Sequence, residues 1–165
     1  MNMSSKKKVP QGELFSDGMY DWSLFLVNLF LRVKEDLKID YDSFMIIHVV
    51  AGNYLYQWNQ DHSLSYDELS LRFEKIISES SNINRITVTS LSMILNIPRE
   101  TVKRKVLNLI KKQLLFENSD KSIIIGKSYE NYFQNFVLNT TNDLSVLMKK
   151  WKRKNILDGL INYSD

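Results

Sequence analysis

The sequence predicts a mainly α fold with one small β-hairpin, and three observations carry that prediction. Apolar residues recur at three- and four-residue steps over several long stretches, the mark of amphipathic helices. Five glycines and two prolines in 165 residues are few, which favours long helices with short connections. A run of turn-favouring residues, Asn118-Ser-Asp-Lys121, separates the β-rich segments Leu114–Glu117 and Ser122–Ile125.

Residues 1–15 are polar and basic, with Pro10 and Gly12, and read as a flexible tail. The segment 16–84 reads as N-terminal helices. From about Asp17 to Leu37, Trp22, Leu26, Phe30 and Val33 set the stripe of a first helix. A second helix, from about Asp42 to Trp58, carries Phe44, Ile47, Val50, Ala51, Tyr54 and Trp58. Its other positions are also largely apolar, which places it centrally. Asp40 and Asp42 read as its start signal. Ser65-Tyr-Asp-Glu68 is a capping box that opens a third helix running to about Ser78, with Leu69, Phe73, Ile76 and Ile77 inward. The polar run Glu79 to Asn84 reads as a loop.

Residues 85–127 read as a short helix, a tight turn, a longer basic helix and the hairpin. That order is a winged helix-turn-helix, here with N-terminal and C-terminal helical arms. Thr87 is placed to cap a helix from Val88, with Leu91, Ile94 and Leu95 toward the core. Ser92 supplies the small residue wanted where the two helices cross. Asn96 occupies the turn position that needs positive φ. Ile97 fills the core beneath it, and Pro98 suits the first helical position. The second helix, 98–112, buries Val102, Val106 and Leu109 and presents Arg99, Glu100, Lys103 and Arg104 opposite. Residues 128–165 form a C-terminal helical arm in two pieces, broken near Thr140–Asn142. Leu144, Leu147, Trp151, Leu157, Leu160 and Ile161 form its stripe, continuing to about Tyr163. The whole is expected to form one compact domain.

Charge is unevenly spread. Residues 9–84 hold 5 Lys/Arg against 12 Asp/Glu, whereas residues 85–112 hold 7 Lys/Arg against Glu100 alone. Lys149, Lys150, Lys152, Arg153 and Lys154 add a second basic run. An acidic body with a basic segment points to a polyanion partner at one face; for residues 149–154 an ordinary solvated helix surface explains the run equally well. A helix that enters the major groove does so by its N-terminal end. Arg99 and Arg104 can each pair with guanine O6 and N7, worth about 1–3 kcal/mol of discrimination per contact, and Glu100 can accept from cytosine N4. Thr89, Lys103, Lys111 and Lys112, with Lys121 and Lys127 on the wing, are the candidate phosphate contacts.

Thr87 to Leu115 resembles the helix-turn-helix of bacterial winged-helix transcription regulators. Within it, Arg99-Glu-Thr-Val-Lys-Arg104 resembles the recognition helix of Crp/Fnr-type regulators, which implies base reading by Arg99, Glu100 and Arg104. Helices before and after such a module resemble the MarR architecture, which implies a homodimer built from terminal helices. Three positions depart from that pattern: an extra helix between Asp61 and Arg85, Lys105 where a small or apolar residue is usual, and Gln113 where glycine is common.

No cysteine is present, which excludes thiol catalysis, thiolate metal sites and disulfides and agrees with a cytoplasmic address. Lys6, Lys7 and Lys8 precede no long apolar run, so no signal peptide is expected, and Leu24–Leu31 is too short to span a bilayer. His48 and His62 lack ligand-spaced partners, and no phosphate loop or nucleophile elbow occurs. No enzyme and no cofactor are expected. His48, Tyr54 and Trp58, in the aromatic-rich second helix, are the candidate lining of a small-molecule effector pocket, although aromatics at helical spacing are more often plain core. The expected partners are double-stranded DNA and a second copy of the chain. Two further readings stand beside regulation: a winged-helix protein-interaction module, and a replication or partition protein that binds DNA.

Overall fold

The computed structural model describes residues 15–60, 63–75 and 85–161, without the side chains of residues 73 and 74. The tail, His62, Ile76, Ile77, the 79–84 loop and Tyr163 therefore lie outside the described residues. The fold is mainly helical with one two-stranded antiparallel sheet. In chain order the elements are α1 (Phe15–Glu35), α2 (Tyr41–Trp58), α3 (Tyr66–Lys75), α4 (Val88–Leu95), α5 (Arg99–Lys111), β1 (Leu115–Glu117), β2 (Ile123–Ile125), α6 (Tyr129–Arg153) and α7 (Ile156–Ile161). No helix among the described residues is long and apolar enough to cross a membrane.

The described chain divides into two compact units. One is Arg32–Phe136; the other joins residues 15–31 to 137–161. The limits between them, at 31/32 and 136/137, fall within α1 and α6, and the segment 85–127 lies wholly in the unit Arg32–Phe136.

In the unit Arg32–Phe136, α2 is central and packs on α4, α5 and β2. Ile46, Ile47 and Val50 are fully inaccessible, and Phe44, Ala51 and Tyr54 nearly so. Asp40 caps α2, its Oδ1 accepting from the Ser43 N–H at 2.8 Å. Ser65 and Glu68 form the expected capping box at α3: the Ser65 N–H donates to Glu68 Oε2 at 2.8 Å, and the Glu68 N–H returns to Ser65 Oγ at 3.3 Å. The hairpin pairs Leu115 with Ile125, Phe116 with Ile124 and Glu117 with Ile123. Its tip is closed by Asp120, whose Oδ1 accepts from the Ser122 N–H and hydroxyl.

In the other unit, Asp21 is buried on α1 and receives Lys150 of α6, while Lys154 pairs with Asp17 at 2.9 Å. Trp22 and Trp151 lie with ring centroids 6.3 Å apart. A Cβ on Gly18 would come within 3.0 Å of Ile156.

Several sequence expectations need correction. No break occurs at Thr140–Asn142: α6 runs unbroken through them, because Thr and Asn tolerate a helix interior once neighbouring turns are formed. The helix ends instead before Asn155, which adopts φ 55°. Phe30 is 44% and Ile94 57% exposed, so neither joins the stripe assigned to it. Pro98 is the cap residue of α5 rather than its first helical residue, with φ −53° and ψ 134°. Leu144 and Ile161 are also exposed, whereas Phe133, Phe136, Leu147 and Ile156 are buried.

Candidate nucleic-acid interface

The candidate interface is built from α4, the turn Asn96–Pro98, α5 and the hairpin. Thr87 caps α4: its Oγ1 accepts from the Ser90 N–H at 3.1 Å, and the Ser90 hydroxyl reaches back to the Thr87 N–H. Asn96 ends α4 in the left-handed conformation, φ 52° and ψ 42°, and its N–H donates to the Ser92 carbonyl. Ser92 Oγ donates to the Ile97 carbonyl at 2.6 Å, so the small residue at the crossing also satisfies the turn. These local bonds set the angle at which α5 leaves the turn.

The two faces of α5 differ sharply. Val102, Val106 and Leu109 are at most 1% exposed. Arg99, Glu100, Lys103 and Arg104 are all exposed, and no ion pair within the described residues engages them. At about 100° per residue these four lie within one arc of the first two turns. Guanidinium groups so placed can form planar, bidentate contacts with base edges or phosphates.

The other candidates are placed differently from one another. Thr89, in the first turn of α4, is exposed, as are Lys111 and Lys127. Lys112 donates its ammonium to the Lys38 carbonyl at 2.8 Å. Lys121, at φ 68° in the hairpin tip, pairs with Glu117 at 3.1 Å. Arg85 pairs with Asp120 at 3.0 Å, so the hairpin tip neutralises much of its own charge. In the second basic run, Lys150 and Lys154 are likewise held by Asp21 and Asp17.

Three contacts had no signal in the sequence. Lys105 Nζ lies 2.8 Å from Asp40 Oδ2 and 3.2 Å from Asp42 Oδ2, with its side chain 13% exposed. Burial opposes the charge on Lys105, but the two carboxylates outweigh it and raise its pKa. Burial likewise disfavours ionised Asp40, yet Lys105 and the Ser43 groups hold its carboxyl below the usual range. Lys112 on Lys38 is the second contact, and the bond from the Tyr132 hydroxyl to the Leu37 carbonyl is the third. Of the seven positive residues between 85 and 112, Arg85, Lys105 and Lys112 are thus used inside the protein. Arg99, Lys103, Arg104 and Lys111 remain on the outer side.

The effector candidates are not brought together on one side of α2. His48 lies against Phe44, ring centroids 3.9 Å apart, with its Nδ1 on the Phe44 carbonyl at 2.9 Å. Desolvation pulls its pKa below the ordinary histidine value, and that hydrogen bond only partly opposes the shift. Tyr54 is six positions on, about 120° around the helix. It is 3% exposed, its ring lies tilted 5.4 Å from that of Trp58, and burial pushes its phenol up to about 12. Trp58 in turn carries the Arg72 guanidinium at 5.8 Å from its ring centroid. Among the described residues no cluster of His, Asp or Glu could hold a metal ion.

Comparison of the chain with protein-family models, with curated proteins and with solved structures gives no match.

Proposed function

We propose that this chain is a sequence-specific DNA-binding transcription regulator whose α5 enters the major groove by its N-terminal end. The observation that carries the reading is the division of α5 into a buried face of Val102, Val106 and Leu109 and an outer face of Arg99, Glu100, Lys103 and Arg104. Arg99, Glu100 and Arg104 read bases; Lys103 and Lys111 contact phosphate, and Thr89 on α4 adds a backbone contact. The hairpin acts as a wing with Lys127 as its contact, since Lys121 is held by Glu117. The chain acts as a homodimer on an inverted repeat; support comes from Met19, Tyr20, Leu24, Val27 and Leu31, which expose apolar surface on α1. The site of action is the cytoplasm.

The test is fluorescence-anisotropy titration of random-sequence duplex DNA with the full chain at several salt concentrations. Submicromolar binding in low salt that falls steeply as salt is added is the expected result. Absence of binding in low salt refutes the reading.

A second reading, a winged-helix module that assembles a protein complex, is favoured by Met93 and Ile94. They lie in the last turn of α4 at 78% and 57% exposure, beside the turn that leads into α5. Stable partners in a pull-down, together with no DNA affinity, would select it.

A further inference from the structure

The lysines of α5 fall on two sides of the helix, and the two sides do different things. Lys103 and Lys111 lie on the outer arc with Arg99 and Arg104. Lys105 and Lys112 are seven positions apart, which brings them within about 20° of one another on the helix surface. Both reach the segment formed by the α1–α2 connector and the first turn of α2. Lys105 grips the carboxylates of Asp40 and Asp42, and Lys112 donates to the Lys38 carbonyl. The connector is itself held: Leu37 is 1% exposed, its carbonyl accepts from Tyr132, and Asp40 caps α2. The buried face of Val102, Val106 and Leu109 sets which side of α5 points inward. Two attachments about 10 Å apart along the axis add a restraint on its direction and roll against that core.

We infer that Lys105, assisted by Lys112, is a positioning residue that sets how α5 presents Arg99 and Arg104, and does not itself contact the nucleic acid. This rests on the reading of α5 as a DNA-reading helix. Planar base contacts tolerate little angular error, so a helix held at two points reads sequence and a loosened one does not. Non-specific attraction, by contrast, depends on charge near phosphate and survives a small rotation.

The experiment uses the full chain, a random-sequence duplex, and the duplex enriched from a randomised pool by the wild type. Two variants change net charge in opposite directions: Lys105→Met, which keeps an unbranched apolar stem, and Asp40→Asn, which keeps a competent helix cap. Each is checked for wild-type helix content before binding is measured. Both should lower the ratio of selected-site to random-site affinity by roughly fivefold or more, the weight of one good base contact. Both should keep the wild-type dependence of affinity on salt, whereas Lys103→Ala should lower that slope by about one. Lys105→Arg, which can reach both carboxylates, should restore discrimination. A reduced salt slope in Lys105→Met would overturn the inference in favour of a phosphate contact. Opposite shifts in the two variants would overturn it in favour of long-range charge. Unchanged discrimination would leave Lys105 as a fold contact only. Failure of the wild type to bind the random duplex at all would instead refute the DNA reading, and the positioning role with it.

Discussion

The N–H of Ile123 donates to the carbonyl of Ile86 at 2.7 Å, tying the residue before the α4 cap to the second strand of the hairpin. The hairpin is thereby anchored to the segment that leads into α4 as well as to the end of α5. At the other end of β2, Gly126 donates to the Leu114 carbonyl, and a Cβ there would meet the Gln113 carbonyl at 2.3 Å. Gln113 itself turns the chain at φ 59°. Backbone on both sides leaves no room to yield, so Gly126→Ala should lower stability by several kcal/mol, on the order of 2–4. Urea unfolding followed by far-UV circular dichroism measures this, and an unchanged midpoint would contradict the packing described.

Asn96 offers a milder test at the turn. Its φ of 52° is costly for a residue with a branched Cβ and free for glycine. Asn96→Gly should leave the melting temperature nearly unchanged, while Asn96→Val should cost about 1–2 kcal/mol. Equal effects of the two substitutions would show that conformation is not what limits this position.

On α5, truncation should separate the two faces. Val106→Ala should cost about 1–3 kcal/mol of stability, because the side chain is 1% exposed and the space cannot close fully. Arg99→Ala and Arg104→Ala should leave stability within about 0.5 kcal/mol and relax sequence preference in a selection from randomised duplexes. A stability loss in the arginine variants as large as in Val106→Ala would show that they serve the fold.

The Lys105–Asp40 pair has a defined pH signature. The folded pKa of Asp40 lies below its usual value, so its contribution is complete above the unfolded value of about 3.9 and is lost as pH falls through the lower folded value. Lys105 is raised, so its contribution is complete below about 10.4 and is lost as pH rises through the higher folded value. Asp40 is 61% exposed and solvent screens the pair, which leaves on the order of 1 kcal/mol. The stability gap between wild type and Lys105→Met should therefore be widest between about pH 5 and pH 9. It should narrow toward pH 2. A gap independent of pH would assign the effect to the lysine stem.

Asp21 is buried, and its charge partner is Lys150 at 2.5 Å. Lys150→Met leaves that carboxylate without its cation and should cost about 3 kcal/mol or more. Replacing both as Asp21→Leu with Lys150→Met should cost less than the single change. Thermal melts of the two variants decide it: a double variant less stable than the single one would contradict the burial of an uncompensated charge.

The parts of this protein that were legible in its sequence are those that depend on neighbours a few residues apart. Thr87 and Ser90, Ser65 and Glu68, and the left-handed Asn96 act through bonds spanning three to five positions. The 3.6-residue period likewise placed Val102, Val106 and Leu109 inside and Arg99, Glu100, Lys103 and Arg104 outside. Periodicity assigns a residue to a face but does not say how deep that face lies, which is why Ile94 and Phe30 stand out in solvent. It also missed the continuity of α6 through Thr140–Asn142, since weak local preference yields to formed turns on either side. Which of the remaining positive charges are taken up within the protein was decided by tertiary structure. Lys105 meets Asp40 across 65 positions and Arg85 meets Asp120 across 35, pairings that exist only once α2, α5 and the hairpin have packed and brought distant charges within reach.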